Sequence, residues 1–207
     1  MRQVVTAQDI PAEGELRVRA GSLITASAAE AAAARGVRII EMDADQLSAL
    51  ASPAQTVAIG ADHGGFRMKE ALKPAIASMG LAILDVGVME EQPADYPDIA
   101  LKVAELVAGG TAARGVIVDG AGIGSAIAAN KVPGIRAALC YDKASARNSR
   151  EHNDSNILTL GARLLTETQA EEVLRTWLNT PFGGGRHQAR VNKILDLERR
   201  FSKKVPL

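Results

Sequence analysis

The sequence contains very little of several things, and each shortage excludes a class of protein. Its 207 residues include one cysteine, Cys140, so no internal disulfide can form and a reducing compartment is expected. Aromatic residues make up 3% of the chain, too few for a surface that stacks the bases of single-stranded nucleic acid. Basic and acidic residues number 24 each, and this zero net charge gives no support to a nucleic-acid or membrane-surface partner.

Long apolar runs and several well-known site motifs are also missing. No uncharged apolar run reaches the roughly 18 residues of a membrane-spanning helix, and the start of the chain lacks the apolar core of a signal peptide. We therefore expect a cytoplasmic protein. No HxH, CxxC or HExxH spacing is present, so no metal is expected, and no GxSxG motif supports a serine hydrolase.

The first 55 residues differ from the rest and are expected to form a separate N-terminal extension. They contain no lysine, and ELRVRAGSLIT and VRIIEM have the composition of strands. Between them a helix is predicted from Ser27, with Glu30 as its capping-box partner and Gly36 as its stop. Residues 43–55 are typical of a linker. The pattern predicts a small β-α-β unit over residues 1–55 and a larger domain over 56–207.

From Thr56 onward, short apolar runs alternate with segments of helical character. The five strand candidates are VAIGA, LAILDVG, GVIVDG, IRAALC and NILTLG. Continuous apolar runs of this length are typical of a parallel sheet that is covered on both faces. The alternation therefore predicts an α/β fold, a doubly wound three-layer sandwich around a five-stranded parallel sheet.

Polar or glycine-rich segments adjoin three of these strands, and in such sheets ligands bind where strands end. The segments are GADHGG with Asp62 and His63, VDGAGIGS with Asp119, and SREHNDSN with His152 and Asn153. Glycines let backbone N–H groups converge on an anion at the start of a helix. The glycine loop, residues 120–124 of VDGAGIGS, lacks the spacing of a dinucleotide site and the GK[ST] of a P-loop, so no cofactor is expected. The structural alternatives are polar turns and an Asp119 that caps the next helix.

A fourth segment, GGGRHQAR, places cations at the predicted start of the last helix. Arg186 and Arg190 flank His187 there. Cations at a helix N-terminus oppose the helix dipole, at a cost of up to about 1 kcal/mol, unless an anion binds. The segment therefore indicates a phosphate site, and the alternative is a solvated basic turn.

Taken together, these motifs resemble the ribose-5-phosphate isomerase B family, which includes the galactose-6-phosphate isomerase subunits. The resemblance rests on GADHGGF, DYPDIA, GAGIGSAIAANKVPGIRAAL, SREHNDSNILTLGAR and GGGRHQARVNKI, and it covers residues 56–200. It implies a Rossmann-like fold and the metal-independent interconversion of phosphorylated aldoses and ketoses through an enediolate. It also implies a homodimer or homotetramer whose active sites draw residues from two subunits.

The resemblance further implies a role for each matched residue. His152 is expected to open the sugar ring, and Arg163, Arg186 and Arg190 to bind the phosphate, whose geometry guanidinium groups match. Asn153 and the backbone N–H groups of residues 120–124 are expected to hold the substrate oxygens and the enediolate. The full set of implied substrate contacts is Asp62, His63, Tyr96, Gly120, Ala121, Gly122, Ile123, Gly124, Ser125, Asn153, Arg163, Arg186, His187 and Arg190.

The sequence departs from the family pattern around the glycine loop. Family members commonly carry the C2-proton base as a cysteine before this loop or as a glutamate just after it, where this chain has Asp119 and Ser125. Ala121 replaces the usual hydroxyl residue, and Cys140 lies on a different predicted strand. Either Asp119 is the base, or the isomerase activity is altered or lost. The alternatives are a sugar-phosphate epimerase and a non-catalytic sugar-phosphate binding or scaffold protein.

The N-terminal extension lies outside this resemblance. Its stretch GELRVRAGSLITASAAEAAAARGVRI is similar to N-terminal segments of some enzymes of bacterial microcompartments. That similarity implies association with a microcompartment, and the alternative of equal weight is an oligomerisation arm.

Overall fold

The computed structural model describes residues 4–19, 21–42, 52–90 and 93–202. The chain divides into two compact units, Met1–Ser52 and Pro53–Leu207. Of the predicted linker, residues 43–51 lie outside the described residues, and Pro53–Gln55 form a short 3-10 helix.

The described residues of the first unit form two pairs of parallel strands and one α-helix. Strand β1 (Val4–Val5) pairs with β3 (Leu23–Ile24), and β2 (Glu15–Arg19) pairs with β4 (Arg38–Met42). Helix α1 (Ala26–Arg35) connects β3 to β4, and a 3-10 turn (Ala7–Asp9) follows β1. The β-α-β arrangement of the prediction is therefore present, with a further strand pair beside it.

Helix α1 begins earlier than the sequence predicts. Thr25, not Ser27, is the N-cap: its hydroxyl accepts the N–H of Ala28 at 3.3 Å and donates to the carbonyl of Val5 at 2.9 Å. The second bond ties the helix start to β1, which local sequence does not reveal. Gly36 ends the helix as predicted, in the left-handed region at φ 64°.

The second unit is built around a five-stranded parallel sheet with the order β6-β5-β7-β9-β8. The strands are β5 (Thr56–Ala61), β6 (Ala82–Asp85), β7 (Arg114–Asp119), β8 (Ala137–Leu139) and β9 (Ile157–Gly161). All five correspond to predicted apolar runs. The α/β prediction with a five-stranded parallel sheet is confirmed.

Six described helices flank this sheet: α2 (Phe66–Ser78), α3 (Tyr96–Ala108), α4 (Ile123–Ala129), α5 (Lys143–Glu151), α6 (Glu167–Asn179) and α7 (Arg186–Ser202). Residues of α2, α5 and α6 belong to one apolar core with the sheet. Residues of α3 and α4 belong to a second core. Two separate cores on one sheet are what a three-layer sandwich requires.

Close packing of α3 on the sheet depends on glycines in the strands. A Cβ on Gly60 would lie 2.7 Å from the Ile99 side chain, and one on Gly115 would lie 2.7 Å from Val103. The absence of side chains at these two strand positions lets the helix approach the backbone.

The strand order creates a crevice at the carboxyl ends of β5 and β7. After β5 the chain crosses through α2 to β6 on one side, and it then returns through α3 to β7 on the other. Neighbouring strands whose connections leave in opposite directions form the usual ligand crevice of open α/β sheets. Asp62 follows β5 and Asp119 ends β7, so both carboxylates adjoin this crevice.

Candidate active site

A cavity of about 450 Å³ opens at the carboxyl ends of β5, β7 and β9. Its lining residues are Asp62, His63, Gly64, Tyr96, Asp119, Gly120, Ala121, Gly124, Arg163 and Leu164. Eight of these ten are residues singled out from the sequence. The other two, Gly64 and Leu164, directly follow singled-out residues in the chain.

The turn after β5 holds Asp62 at the cavity wall. Oδ1 of Asp62 accepts the backbone N–H of Gly65 at 2.9 Å, and the residue is 8% exposed. Gly65 itself lies against β7, where a Cβ would come within 2.1 Å of the Val118 carbonyl oxygen. A direct approach of one backbone to another therefore places the turn.

Asp119 is bound on both carboxylate oxygens by the loop that follows it. Oδ1 accepts the N–H groups of Ala121, at 2.8 Å, and of Gly122. Oδ2 accepts the N–H of Ser125 at 3.1 Å and the Ser125 hydroxyl. The side chain is 5% exposed. The assignment of Asp119 as the base stays a prediction, and these four hydrogen bonds favour the alternative, a carboxylate that caps α4.

Asp119 binds only some of the backbone N–H groups of the glycine loop. Those of Ala121 and Gly122 bind Asp119, whereas Ile123 and Gly124, the first two residues of α4, have no intrahelical acceptor. Gly124 lies against Tyr96, since a Cβ there would come within 2.5 Å of the phenol ring.

Tyr141 is a loop contact that the sequence does not predict. Its hydroxyl donates to the carbonyl of Ala121 at 3.0 Å. The residue follows the edge strand β8, and no sequence signal connects it to the glycine loop. The bond fixes the orientation of the Ala121 carbonyl.

Three of the predicted substrate contacts in this loop are not in the cavity wall. Ser125 is fully buried on Asp119, and Gly122 lies against β9 at φ 75°. Ile123 is 49% exposed outside the cavity. The hydroxyl of Ser125 is thus engaged by the carboxylate, which the linear order of residues did not indicate.

Arg163 is the cationic residue among the lining residues of this cavity. It follows β9, and its N–H donates to the carbonyl of Gly120 at 3.0 Å. A Cβ on Gly120 would lie 3.5 Å from its Nε, so the guanidinium extends over the glycine loop.

The other predicted site residues lie elsewhere on the unit and are called the second group: His152, Asn153, Arg186, His187 and Arg190. The rings of His152 and His187 stack with centroids 4.1 Å apart and planes 8° apart, and Arg186 Nε lies 3.5 Å from His187 Nε2. Partial desolvation lowers the pKa of His187, and the neighbouring charges of His152, Arg186 and Arg190 lower it further. A neutral ring can stack on His152 without charge repulsion.

This second group lies at the opposite edge of the sheet from the cavity. His152 and Asn153 precede β9 and are therefore at its amino end, and Gly183, close before Arg186, donates to the carbonyl of Glu151 at 2.9 Å. A strand of six residues such as β7 spans roughly 20 Å. The sequence pattern grouped His152 with the strand ends, but a loop from a helix into a strand lies at the other edge.

Asn153 lines a different cavity of about 270 Å³, together with Arg136, Ser149 and Ile194. Cys140 lines neither cavity. It is fully buried, with Sγ 3.8 Å from the Ser149 hydroxyl, and burial raises the pKa of its thiol. The thiol is therefore not placed to replace the cysteine that the family pattern has before the glycine loop.

Across the described ranges, no three His, Cys, Asp or Glu side chains are grouped closely enough to hold a metal ion. None of the helices in the part of the chain that the structure describes is long and apolar enough to cross a membrane.

Comparison with known proteins gives consistent matches over the second unit. The profile of the Ribose/Galactose Isomerase family matches residues 57–194. Ribose-5-phosphate isomerase B of Escherichia coli is 40% identical over 144 residues, which are 70% of this chain and 97% of that protein. D-erythrulose-4-phosphate isomerase of Pectobacterium atrosepticum is 38% identical over 141 residues, 67% of this chain and 92% of that protein. The structure of Clostridium thermocellum ribose-5-phosphate isomerase B superposes with a TM-score of 0.69 at 46% identity, covering 70% of this chain and 99% of that one.

Proposed function

Because the chain belongs to the Ribose/Galactose Isomerase family and is a sugar-phosphate isomerase, we propose that it interconverts an aldose phosphate and a ketose phosphate in the cavity at β5 and β7. The observation that carries this proposal is the convergence of eight sequence-matched residues on one cavity. The reaction proceeds through an enediolate and needs no metal, because protein groups supply both the charge and the proton transfer.

The substrate is a sugar phosphate of four to six carbons, with the ribose 5-phosphate and ribulose 5-phosphate pair as the first candidate. The relatives named for ribose-5-phosphate and erythrulose-4-phosphate isomerisation support this range. The cavity of about 450 Å³ is of the size that binds small molecules. Arg163 supplies the positive charge that an anionic substrate needs, and the N–H of Gly124, which Asp119 does not bind, is available to the developing enediolate oxygen.

The site is completed by a second copy of the chain, in a homodimer or homotetramer. Within one chain, His152, Asn153 and the arginines of α7 lie at the opposite sheet edge from the cavity. If they bind the same substrate molecule as Arg163, they must come from a neighbouring subunit. His152 then opens the ring, and Arg186 and Arg190 add the guanidinium groups that a phosphate dianion prefers.

Mixing two variants that are each impaired at a different group of site residues tests the shared site. Arg163→Ala removes a cavity residue, and Arg190→Ala removes a residue of the second group. After unfolding together and refolding, half of the dimers are mixed, and each has one site without either change, so about a quarter of the parent kcat/KM returns. Activity no higher than that of the separate variants would contradict a site shared between subunits.

A substrate panel tests the reaction itself. Ribose 5-phosphate, erythrulose 4-phosphate and galactose 6-phosphate are incubated with the full chain in heavy water, and products and deuterium content are followed by NMR. Net aldose–ketose conversion with deuterium on the product supports the proposal. Deuterium exchange with inversion and no ketose would establish an epimerase, and binding without exchange would establish a non-catalytic binding protein.

Residues 1–55 serve assembly and not chemistry in this proposal. They precede the matched range, and the candidate residues of both groups lie in the second unit. The enzyme acts in the cytoplasm, inside a microcompartment if the extension is a targeting segment, or as a larger oligomer if it is an association arm.

A further inference from the structure

We propose that Asp62, and not Asp119, is the carboxylate that moves the proton between C1 and C2 of the sugar. This inference rests on the proposed function and adds a catalytic residue to it. It follows from a contrast between the two carboxylates of the cavity. Both oxygens of Asp119 accept hydrogen bonds from the protein, whereas only one oxygen of Asp62 does.

Asp119 has no free oxygen to offer. Both of its oxygens accept two hydrogen bonds each, from Ala121, Gly122 and Ser125. A general base needs an oxygen that can reach the substrate proton within hydrogen-bond distance. To act as a base, Asp119 would have to give up hydrogen bonds that hold the glycine loop.

Asp62 is anchored through one oxygen and open at the other. Oδ1 accepts the N–H of Gly65, and Oδ2 has no hydrogen-bond donor among the residues that the structure describes. Among the described residues, the only side-chain nitrogen and oxygen atoms that are both buried from solvent and without a hydrogen-bond partner are Arg114 Nε and Thr159 Oγ1. Oδ2 therefore keeps accessible surface, and because Asp62 lines the cavity, that surface is available to a substrate.

The other titratable groups of the cavity are less suited to this step. His63 is exposed and has no hydrogen-bond partner among the described residues to orient its ring. Tyr96 is 42% exposed, and its hydroxyl has no hydrogen-bond partner among the described residues to fix its position. Arg163 has no acceptor capacity. Asp62 alone combines a fixed position with a free basic oxygen.

The proton and the electron pairs balance in this transfer. Asp62 Oδ2 takes the proton from C2 of the open-chain aldose, the C–H electron pair forms the C1=C2 bond, and O1 becomes the enediolate oxygen. The C2 hydroxyl proton passes to O1, which moves the negative charge to O2, and the C2 carbonyl forms only as the C1=C2 electron pair takes up a proton at C1. The neutral Asp62 then returns its proton to C1, which gives the ketose and regenerates the carboxylate.

The test compares carboxylate replacements at two positions of the full-length chain. In Asp62→Asn the amide oxygen still accepts the Gly65 N–H, so the turn is retained while the base is lost. Asp62→Ser serves as a second variant, because a serine hydroxyl also accepts such an N–H. Asp196→Asn is the control: this aspartate is on the exposed face of α7, paired with Arg199, and outside both groups of site residues.

Two quantities are measured for each protein: the rate of deuterium exchange into a sugar phosphate in heavy water, and the dissociation constant for the same compound by calorimetry. Ribose 5-phosphate is the first probe, followed by the other panel compounds. We expect Asp62→Asn and Asp62→Ser to lose exchange by about 100-fold or more, with dissociation constants within about threefold of the parent. Asp196→Asn should match the parent in both.

Each other outcome overturns the assignment. Exchange by Asp62→Asn near the parent rate excludes Asp62 as the base. Loss of binding in parallel with exchange makes it a substrate contact only. If the parent itself exchanges no proton with any compound of the panel, the proposed isomerase function fails, and this result is distinct from a failure confined to the Asp62 variants.

Discussion

Replacement of Asp119 by asparagine separates the structural role of this residue from the catalytic one. The amide oxygen of asparagine can still accept the N–H groups of Ala121 and Gly122. Its NH₂ group, however, faces the N–H of Ser125, so two donors meet and the Ser125 N–H loses its acceptor. The Ser125 hydroxyl can rotate to accept from the new NH₂ group, so one bond and not two is lost.

The expected cost follows from that single bond. A hydrogen bond to a charged group contributes about 1.5–3 kcal/mol, and here the donor is left buried without a partner. For a protein of this length, each kcal/mol lowers Tm by about 2–4 °C, so we expect Asp119→Asn to unfold roughly 5–10 °C below the parent. Thermal unfolding followed by circular dichroism measures the shift.

Asp142 provides a matched control for this prediction. It caps α5 in the same way, with its carboxylate accepting the N–H of Ser145 at 2.6 Å, but it is exposed. Asparagine is as good an N-cap as aspartate, so Asp142→Asn should change Tm by a degree or two at most. Equal Tm shifts in the two variants would refute the reasoning from the four buried bonds.

The activity of the same Asp119→Asn protein decides its catalytic role. If the residue only holds the loop, proton exchange at a temperature well below Tm should fall by less than about tenfold. A loss of about 100-fold or more at unchanged Tm would establish Asp119 as the base after all.

Three further predictions concern other parts of the chain. Arg186→Ala and Arg190→Ala should each raise KM for sugar phosphates by about tenfold or more, since each removes a charge-assisted bond of about 1.5–3 kcal/mol, and unchanged KM in both would remove the phosphate assignment. Deleting residues 1–52 should leave kcat/KM nearly unchanged while altering oligomer size in light scattering; a tenfold loss in a folded truncation would contradict an assembly role. Burial alone would raise the pKa of Asp85, but hydrogen bonds from Lys69 and Lys73 outweigh it and hold the pKa below its usual value. The stabilisation that the Asp85 carboxylate gains from Lys69 and Lys73 is therefore complete above pH about 4, and it is lost as pH falls through the lower pKa of Asp85 in the folded state. The Tm difference between the parent and Asp85→Asn should therefore narrow from pH 7 to pH 3.

The strands and most of the helices were predictable because burial on both faces leaves a direct trace in the sequence. GVIV and ILTL are short, nearly continuous apolar runs, and runs of this length are typical of strands that helices cover on both faces. The start of α1 was not predictable, because Thr25 is selected as the cap partly by its bond to Val5, a residue 20 positions away.

The candidate site was predictable in composition but not in arrangement. Local motifs identified the residues around Asp62 and Asp119, because both sit where an apolar run stops. The same motifs gave no sign that His152 lies at the other sheet edge, which depends on whether a loop enters or leaves a strand. Nor could they show that both oxygens of Asp119 accept hydrogen bonds from the protein, since that depends on how the glycine loop folds back in three dimensions.

The approach of Gly65 to β7 has a consequence for how the two carboxylates of the cavity are positioned. The turn that carries Asp62 lies against the backbone of Val118, the residue next to Asp119, with no side chain between them. The relative placement of the two turns that carry the carboxylates is thus set by main-chain contact and not by side chains packed between them. Such preorganisation spares the protein the cost of ordering these groups when a ligand arrives. Even a methyl group at position 65 would separate the two loops and move both carboxylates relative to each other.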